Sequence, residues 1–270
     1  MRHVTGPTDR VVIVGAGLGG LSAALHLAGS GRQVTVLERE PTPGGRAGLL
    51  EVAGPTGGYR FDTGPTVLTM PHLISAAFEA VGESMGDWLE LTPLDPAYRA
   101  WFPDGSHLDV STDVDAMAEQ IATVIGPGEA AGYRRYVEHV SRLYRLQMAR
   151  FIDRNFDSPL DLVTPDLARL VALGGFGRLA PQVARFLRDP RTQRMFSFQA
   201  MYAGVSPQQA LALYAVISYM DSVAGVLAPV GGMHAVPSAM AAAAAAHGVE
   251  FAYRTTVSAV ETVGDRAVAV

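Results

Sequence analysis

The stretch that decides the fold is Val11-Val12-Ile13-Val14-Gly15-Ala16-Gly17-Leu18-Gly19-Gly20, which runs on to Glu38. Four β-branched residues, Val11 to Val14, read as a fully buried strand. A glycine turn follows. Leu21-Ser22-Ala23-Ala24-Leu25-His26-Leu27-Ala28 then reads as a helix that Gly29 and Gly31 can end. Val34-Thr35-Val36-Leu37 supplies a second strand with an acid, Glu38, at its carboxyl end. Glycines at 15, 17 and 20, with the acid 23 residues after the first, form a dinucleotide-binding fingerprint in the strand–turn–helix–strand context it requires. Gly15 makes the tight turn, Gly17 lets a pyrophosphate approach the backbone, and Gly20 lets the helix pack close to the strand. The helix N-terminus offers unpaired N–H groups to phosphates. Glu38 can accept hydrogen bonds from a ribose diol and would repel a 2′-phosphate. A glycine-rich turn that binds nothing would need neither the flanking strands nor the acid.

The fingerprint alone does not separate NAD from FAD. Gly44-Gly45-Arg46 follows Glu38 in the pattern E-x5-G-G-R. Two glycines permit close backbone approach, and an arginine suits bidentate phosphate recognition; the competing reading of Arg46 is a surface salt bridge. Here the chain resembles the flavoprotein superfamily of amine oxidases, protoporphyrinogen oxidases and carotenoid desaturases. The resemblance implies FAD, with this segment against its pyrophosphate and flavin side. Phe61-Asp62-Thr63-Gly64-Pro65-Thr66 fits the pattern F-D-x-G-P-T and resembles the bacterial-type phytoene desaturases, which implies that Gly64, Pro65 and Thr66 neighbour the flavin. Read without that resemblance, the segment is a strand-ending turn in which Asp62 makes a cap. The run Phe196 to Gly204 and Pro229-Val230-Gly231-Gly232-Met233 match the same family. The resemblance also puts the strand at Val257 beside the adenine. The cofactor-binding set expected is Gly15, Gly17, Leu18, Gly19, Gly20, Glu38, Arg39, Gly45, Arg46, Gly64, Pro65, Thr66 and Val257.

Composition narrows the remaining classes. Hydrophobic residues make up 49 %, charged residues 17 %, and the net charge of −5 carries no nucleic-acid signature. The absence of cysteine excludes disulfides and thiolate chemistry, and the seven histidines show no metal-ligand spacing. No apolar run approaches a membrane-spanning length. The expected fold is α/β: a glutathione-reductase-like FAD-binding Rossmann domain, residues 1–75 and 228–270, around an inserted α+β substrate or membrane domain, 76–227. Residues 1–10 read as polar and loose.

Within the insert, the spacing predicts a helix over 72–81, a hairpin over 98–110, a helix N-capped by Thr112, and a long helix over 129–152 with Tyr136, Val140, Leu143 and Leu146 on one face. A helix from Pro181 sets Val183, Phe186 and Leu187 against Arg185 and Arg188. That pattern suits either an interfacial membrane element or a helix on the core. The family resemblance implies desaturation of a carotenoid precursor, phytoene towards lycopene, by a cytoplasmic enzyme peripheral to the membrane, acting on a long polyene. It leaves the proton acceptor and the oligomeric state open, since no acid or histidine stands out by spacing. The alternative is another flavin oxidase of the amine-oxidase superfamily. The resemblance spans about the N-terminal half of the family, so a fragment lacking a C-terminal flavin-contacting segment, inactive alone, is expected.

Overall fold

The computed structural model describes residues 9–55 and 57–270. Most of the expected loose start, residues 1–8, lies outside the described residues, as does Thr56. The chain divides into two compact units, one built from the residues up to Thr92 together with Leu227–Val270, the other from the contiguous run Pro93–Val226.

The first unit starts with β1 (Arg10–Val14), α1 (Leu18–Gly29) and β2 (Gln33–Leu37). β1 and β2 pair in parallel from Arg10↔Gln33 to Val14↔Leu37, with α1 as the crossover that parallel strands require. β3 (Leu49–Gly54) and β4 (Gly57–Asp62) follow as an antiparallel hairpin, then α2 (Pro71–Glu79) and the short β5 (Leu91–Pro93). The expected domain boundary at 75/76 cuts through α2, and the structure moves it to Thr92. The cause is packing. Ala77 and Phe78 of α2 and, beyond it, Leu89 are buried in the same core as Leu21 and Leu25 of α1. Gly29, at the end of α1, abuts the Ala80 carbonyl so closely that no Cβ would fit.

The second unit carries the hairpin β6 (Tyr98–Trp101) and β7 (His107–Val110), then α3 (Val114–Val124), α4 (Pro127–Gln147), α5 (Pro165–Ala172), α6 (Leu179–Ala184), α7 (Pro190–Met195) and α8 (Ala215–Tyr219). The cap of α3 is Asp113 and not Thr112: its carboxylate accepts from the Asp115 N–H at 2.9 Å and the Ala116 N–H at 3.0 Å. α4 buries Tyr136, Val140 and Leu143 as expected, and ends in a π-helical turn, Met148–Ile152. The arginine-flanked stretch belongs to the core, and its helix, α6, runs from Leu179 to Ala184 and ends short of Phe186 and Leu187. Leu179, Val183 and Leu187 have no exposed surface to speak of, at most 1 %, and pack with Tyr136, Val140 and Phe196. A membrane-facing role for this stretch is therefore corrected. Exposed apolar side chains of this unit lie elsewhere, among them Phe156, Leu160, Leu162, Val163, Val171 and Phe176. No helix is long and apolar enough to cross a membrane among the described residues.

The chain returns through β8 (Leu227–Pro229), paired with β5, into α9 (Ala235–Ala246), β9 (Glu250–Ala252) and the hairpin β10 (Glu261–Val263) and β11 (Arg266–Ala269). β9 adds in parallel to β2, giving the order β1-β2-β9. α1 and α9 meet over the sheet face that carries Val34 and Val36. The other face is open, which corrects the expectation of a fully buried first strand: Val12 is 48 % and Val14 57 % exposed. β1 has a neighbour on one side only among the described residues, and its outer face carries no helix. The strand expected at Val257 does not form there; β10 begins only at Glu261. Arg254 at φ 56° turns the chain out of β9. Its N–H donates to the Glu40 carbonyl (3.2 Å), and the Thr255 N–H donates to the Glu38 carbonyl (2.9 Å).

Candidate functional site

The glycine turn is built as its residues require. Gly15 sits at φ 97°, where a side chain would be strained, and its N–H donates to the Leu37 carbonyl at 2.8 Å. A Cβ on Gly20 would strike the Gly15 carbonyl, so this glycine is what brings α1 down onto β1. Gly17 and Gly19 differ: a Cβ built on either meets no atom within 4 Å. Packing does not require glycine there, so the open approach serves something outside the protein. Gly17 is the N-cap position of α1 and provides no side-chain cap, so the first-turn N–H groups point outward unshielded.

The Gly-Gly-Arg segment is tied to this turn. The Gly44 N–H donates to the Ala16 carbonyl at 2.8 Å, and a Cβ on Gly45 would lie 3.2 Å from Gly17 Cα. Arg46 is exposed, and among the described residues no hydrogen bond or ion pair engages it, so its guanidinium is available to an anion. Arg39 pairs at the surface with Glu40 (3.2 Å).

Glu38 has two tasks. Its side chain is 6 % exposed; Oε2 accepts from the Ala16 N–H at 2.6 Å and Oε1 from the Glu40 N–H at 2.9 Å. It thus clamps the glycine turn to the end of β2, and lone pairs remain for a ribose diol. Burial, and after it the Glu38 charge, raises the nearby Tyr253 phenol above its ordinary range.

These elements enclose an open cavity of about 560 Å³, in the size range of ligand sites. Seven of the expected residues form its wall: Gly15, Gly17, Glu38, Arg39, Gly45, Arg46 and Val257. Leu18, Gly19 and Gly20 form the start of α1 beside it. Gly64, Pro65 and Thr66 stay outside the wall, although a Cβ on Gly64 would strike the Arg46 carbonyl, so their turn buttresses the Gly-Gly-Arg segment. Val14, Leu37, Glu40, Thr255 and Thr256 also line the wall and were not among the expected residues. Asp62 reaches a distant segment and not its own turn. Its two oxygens accept from the Met233 N–H (2.9 Å) and the His234 N–H (3.0 Å), fixing the entry to α9.

A glycine turn open to a phosphate, a buried ribose-type acid and an unpaired arginine around one cavity define a dinucleotide-binding Rossmann-type protein. The model of the family described as flavin containing amine oxidoreductase matches residues 18–270, and the chain belongs to that family. It is 61 % identical over 270 residues to a phytoene dehydrogenase of Streptomyces griseus, covering 100 % of this chain and 52 % of that protein. Against the zeta-carotene-forming phytoene desaturase of Myxococcus xanthus it is 36 % identical over 258 residues, covering 95 % and 49 %. An oxidoreductase structure from Methanosarcina mazei shares the fold with a TM-score of 0.57 at 17 % identity, over 96 % of this chain and 54 % of that one. The chain spans about half the length of the curated relatives it matches. FAD is the cofactor of the family, and the cavity fits its ADP half: Gly17 and the α1 N-terminus suit the pyrophosphate, Glu38 the ribose, and Arg46 a phosphate.

Proposed function

We propose that the chain serves FAD-dependent desaturation of a carotenoid precursor, phytoene towards lycopene. The 61 % identity to the Streptomyces griseus phytoene dehydrogenase over the whole chain carries this reading. Bound FAD supplies a hydride acceptor at N5. The glycine turn and Arg46 hold its phosphates, and Glu38 orients the ribose. The unit Pro93–Val226 is the substrate domain, where aliphatic and aromatic side chains suit a polyene that has no polar group to recognise. The enzyme works at the cytoplasmic face of a membrane, where such a hydrocarbon is stored. The exposed Phe156, Leu160, Leu162 and Val163 support that placement.

The test is anaerobic and uses the flavin-loaded enzyme with phytoene in liposomes and, separately, aromatic amines in buffer. Phytoene should bleach the oxidised flavin band and give longer conjugated polyenes. Bleaching by the amines alone would overturn the reading.

A further inference from the structure

Gly44-Gly45-Arg46-Ala47 is a tight turn, closed by the Ala47 N–H, which donates to the Gly44 carbonyl at 2.9 Å. Gly45, at φ 56°, supplies the left-handed conformation such a turn needs. The ends of the turn, Gly44 and Ala47, are buried, and its tip, Gly45 and Arg46, is exposed. The tip lines the glycine-turn cavity, so the reach of Arg46 depends on how the two ends are held. The Gly44 N–H on the Ala16 carbonyl ties the first end to the glycine turn. The second end is tied to a residue 187 positions further along the chain.

That residue is His234, at the start of α9. It is 7 % exposed, and its Nδ1 lies 3.0 Å from the Ala47 carbonyl oxygen. A carbonyl can only accept, so Nδ1 carries the hydrogen and donates it. Among the described residues this is the one hydrogen bond of the ring. The backbone of His234 is held in turn. Its N–H and that of Met233 donate to Asp62. Gly232, at φ 92°, makes way for that carboxylate, because a Cβ there would lie 2.7 Å from Asp62 Oδ2. A Cβ on Gly44 would strike the Ala47 carbonyl and lie 3.1 Å from His234 Nδ1, so glycine is what admits the ring. Order thus passes from Asp62, through the first residues of α9, to the Gly-Gly-Arg turn.

We propose that His234 is a positioning residue for the cofactor: by holding the Ala47 carbonyl it fixes the Gly44–Ala47 turn and presents Arg46 to the phosphates of a dinucleotide. This rests on the reading that the cavity takes the ADP half of FAD. His234 does not line the cavity, so it acts through the turn. Arg46 has a long, flexible side chain with no protein partner among the described residues, so its backbone is what sets its reach. Without the ring, the buried Ala47 carbonyl loses its donor, and the turn gains by moving toward water. A turn released in this way must be ordered again whenever a phosphate binds, and that cost falls on affinity. The loss is selective. A ligand that carries phosphates meets it, and a nucleoside without them does not.

The experiment measures ADP and adenosine binding to the full chain stripped of flavin, by calorimetry. The wild type should bind ADP more tightly than adenosine. His234→Ala should weaken ADP by about 10-fold, the order of one buried hydrogen bond, and adenosine by less than about twofold. His234→Asn carries an amide N–H near the place of Nδ1 and should bind ADP within about threefold of wild type. His234→Phe fills the space without a donor and should bind ADP as weakly as His234→Ala. The coupling is the decisive readout: in an Arg46→Ala background, His234→Ala should change ADP affinity by less than about twofold, because the residue it acts through is gone. If His234→Ala folds poorly, the contrast of His234→Asn with His234→Phe, each with and without Arg46, carries the test. Equal losses for ADP and adenosine, a His234→Phe chain that binds ADP like wild type, or losses that add to those of Arg46→Ala would overturn the proposal. A wild type that binds ADP no more tightly than adenosine would instead overturn the reading of the cavity beneath it.

Discussion

Removing the Glu38 carboxylate should unfold the protein more readily even with no flavin present. Glu38 accepts from two backbone N–H groups, those of Ala16 (2.6 Å) and Glu40 (2.9 Å), at a position 6 % exposed. Hydrogen bonds to a buried charged group contribute about 1.5–3 kcal/mol each, so Glu38→Ala should cost about 3–6 kcal/mol. That is a large part of an ordinary stability of about 5–15 kcal/mol. Glu38→Gln keeps one carbonyl acceptor and turns an amide N–H toward the other donor, so it should lose roughly half as much. The assay is urea unfolding of the flavin-free protein, where ligand binding cannot contribute. With a slope of about 2 kcal/mol per M, the midpoint of Glu38→Ala should fall by about 1.5–3 M, and that of Glu38→Gln by about half that. Flavin content should fall in the same order. If Glu38→Ala loses flavin but unfolds at the wild-type midpoint without it, the clamp is not structural and the acid serves the cofactor alone.

Gly17→Ala and Gly20→Ala should separate binding from folding. The first places its methyl in open space, so unfolding of the flavin-free protein should stay within about 0.5 kcal/mol of wild type while flavin content drops; the second drives a methyl into the Gly15 carbonyl and should destabilise by about 1–3 kcal/mol. Leu187→Ala should cost about 2–5 kcal/mol in denaturant melts, because the side chain is fully buried; a variant with full stability and a defect only on liposomes would restore a membrane role for the stretch around it. Asp221→Asn should flatten the pH dependence of stability. Burial raises the folded carboxyl from 3.8 to about 6, so the wild type loses stability as pH climbs through that window. At pH 8 the variant should be the more stable by up to about 3 kcal/mol, and at pH 3.5 the two should be nearly equal.

Local patterns carried the first unit well. β1, α1 and β2 follow from glycine punctuation and residue period, and seven of the expected site residues share one cavity. What stayed hidden depends on partners far along the chain. Helical periodicity gives Val183 and Leu187 a common face, but the same spacing serves lipid or core, and only Tyr136 and Phe196 decide it. α2 bears no mark of the core that receives Phe78. Val12 and Val14 look like a buried strand because β-branched runs favour sheets whether or not the outer face is covered. Thr112 and Asp113 are adjacent candidates for one cap, and the choice rests on a single residue of register. His234 has no spacing partner at all; its role comes from Ala47, 187 residues away.

The discontinuity of the first unit sets an order of events during synthesis. Pro93–Val226 is one uninterrupted run, so its core can close while the rest of the chain is still being made. The unit around the glycine turn cannot. Thr35 meets Glu250 across 215 residues, and the third strand of its sheet arrives only with Glu250–Ala252. Bringing such distant segments together carries an entropic cost before any contact offsets it. The last wall of the cavity, Thr255 to Val257, leaves the ribosome later still. Flavin therefore cannot guide the early folding of this chain. It enters a site that closes only after nearly all of these 270 residues have been made.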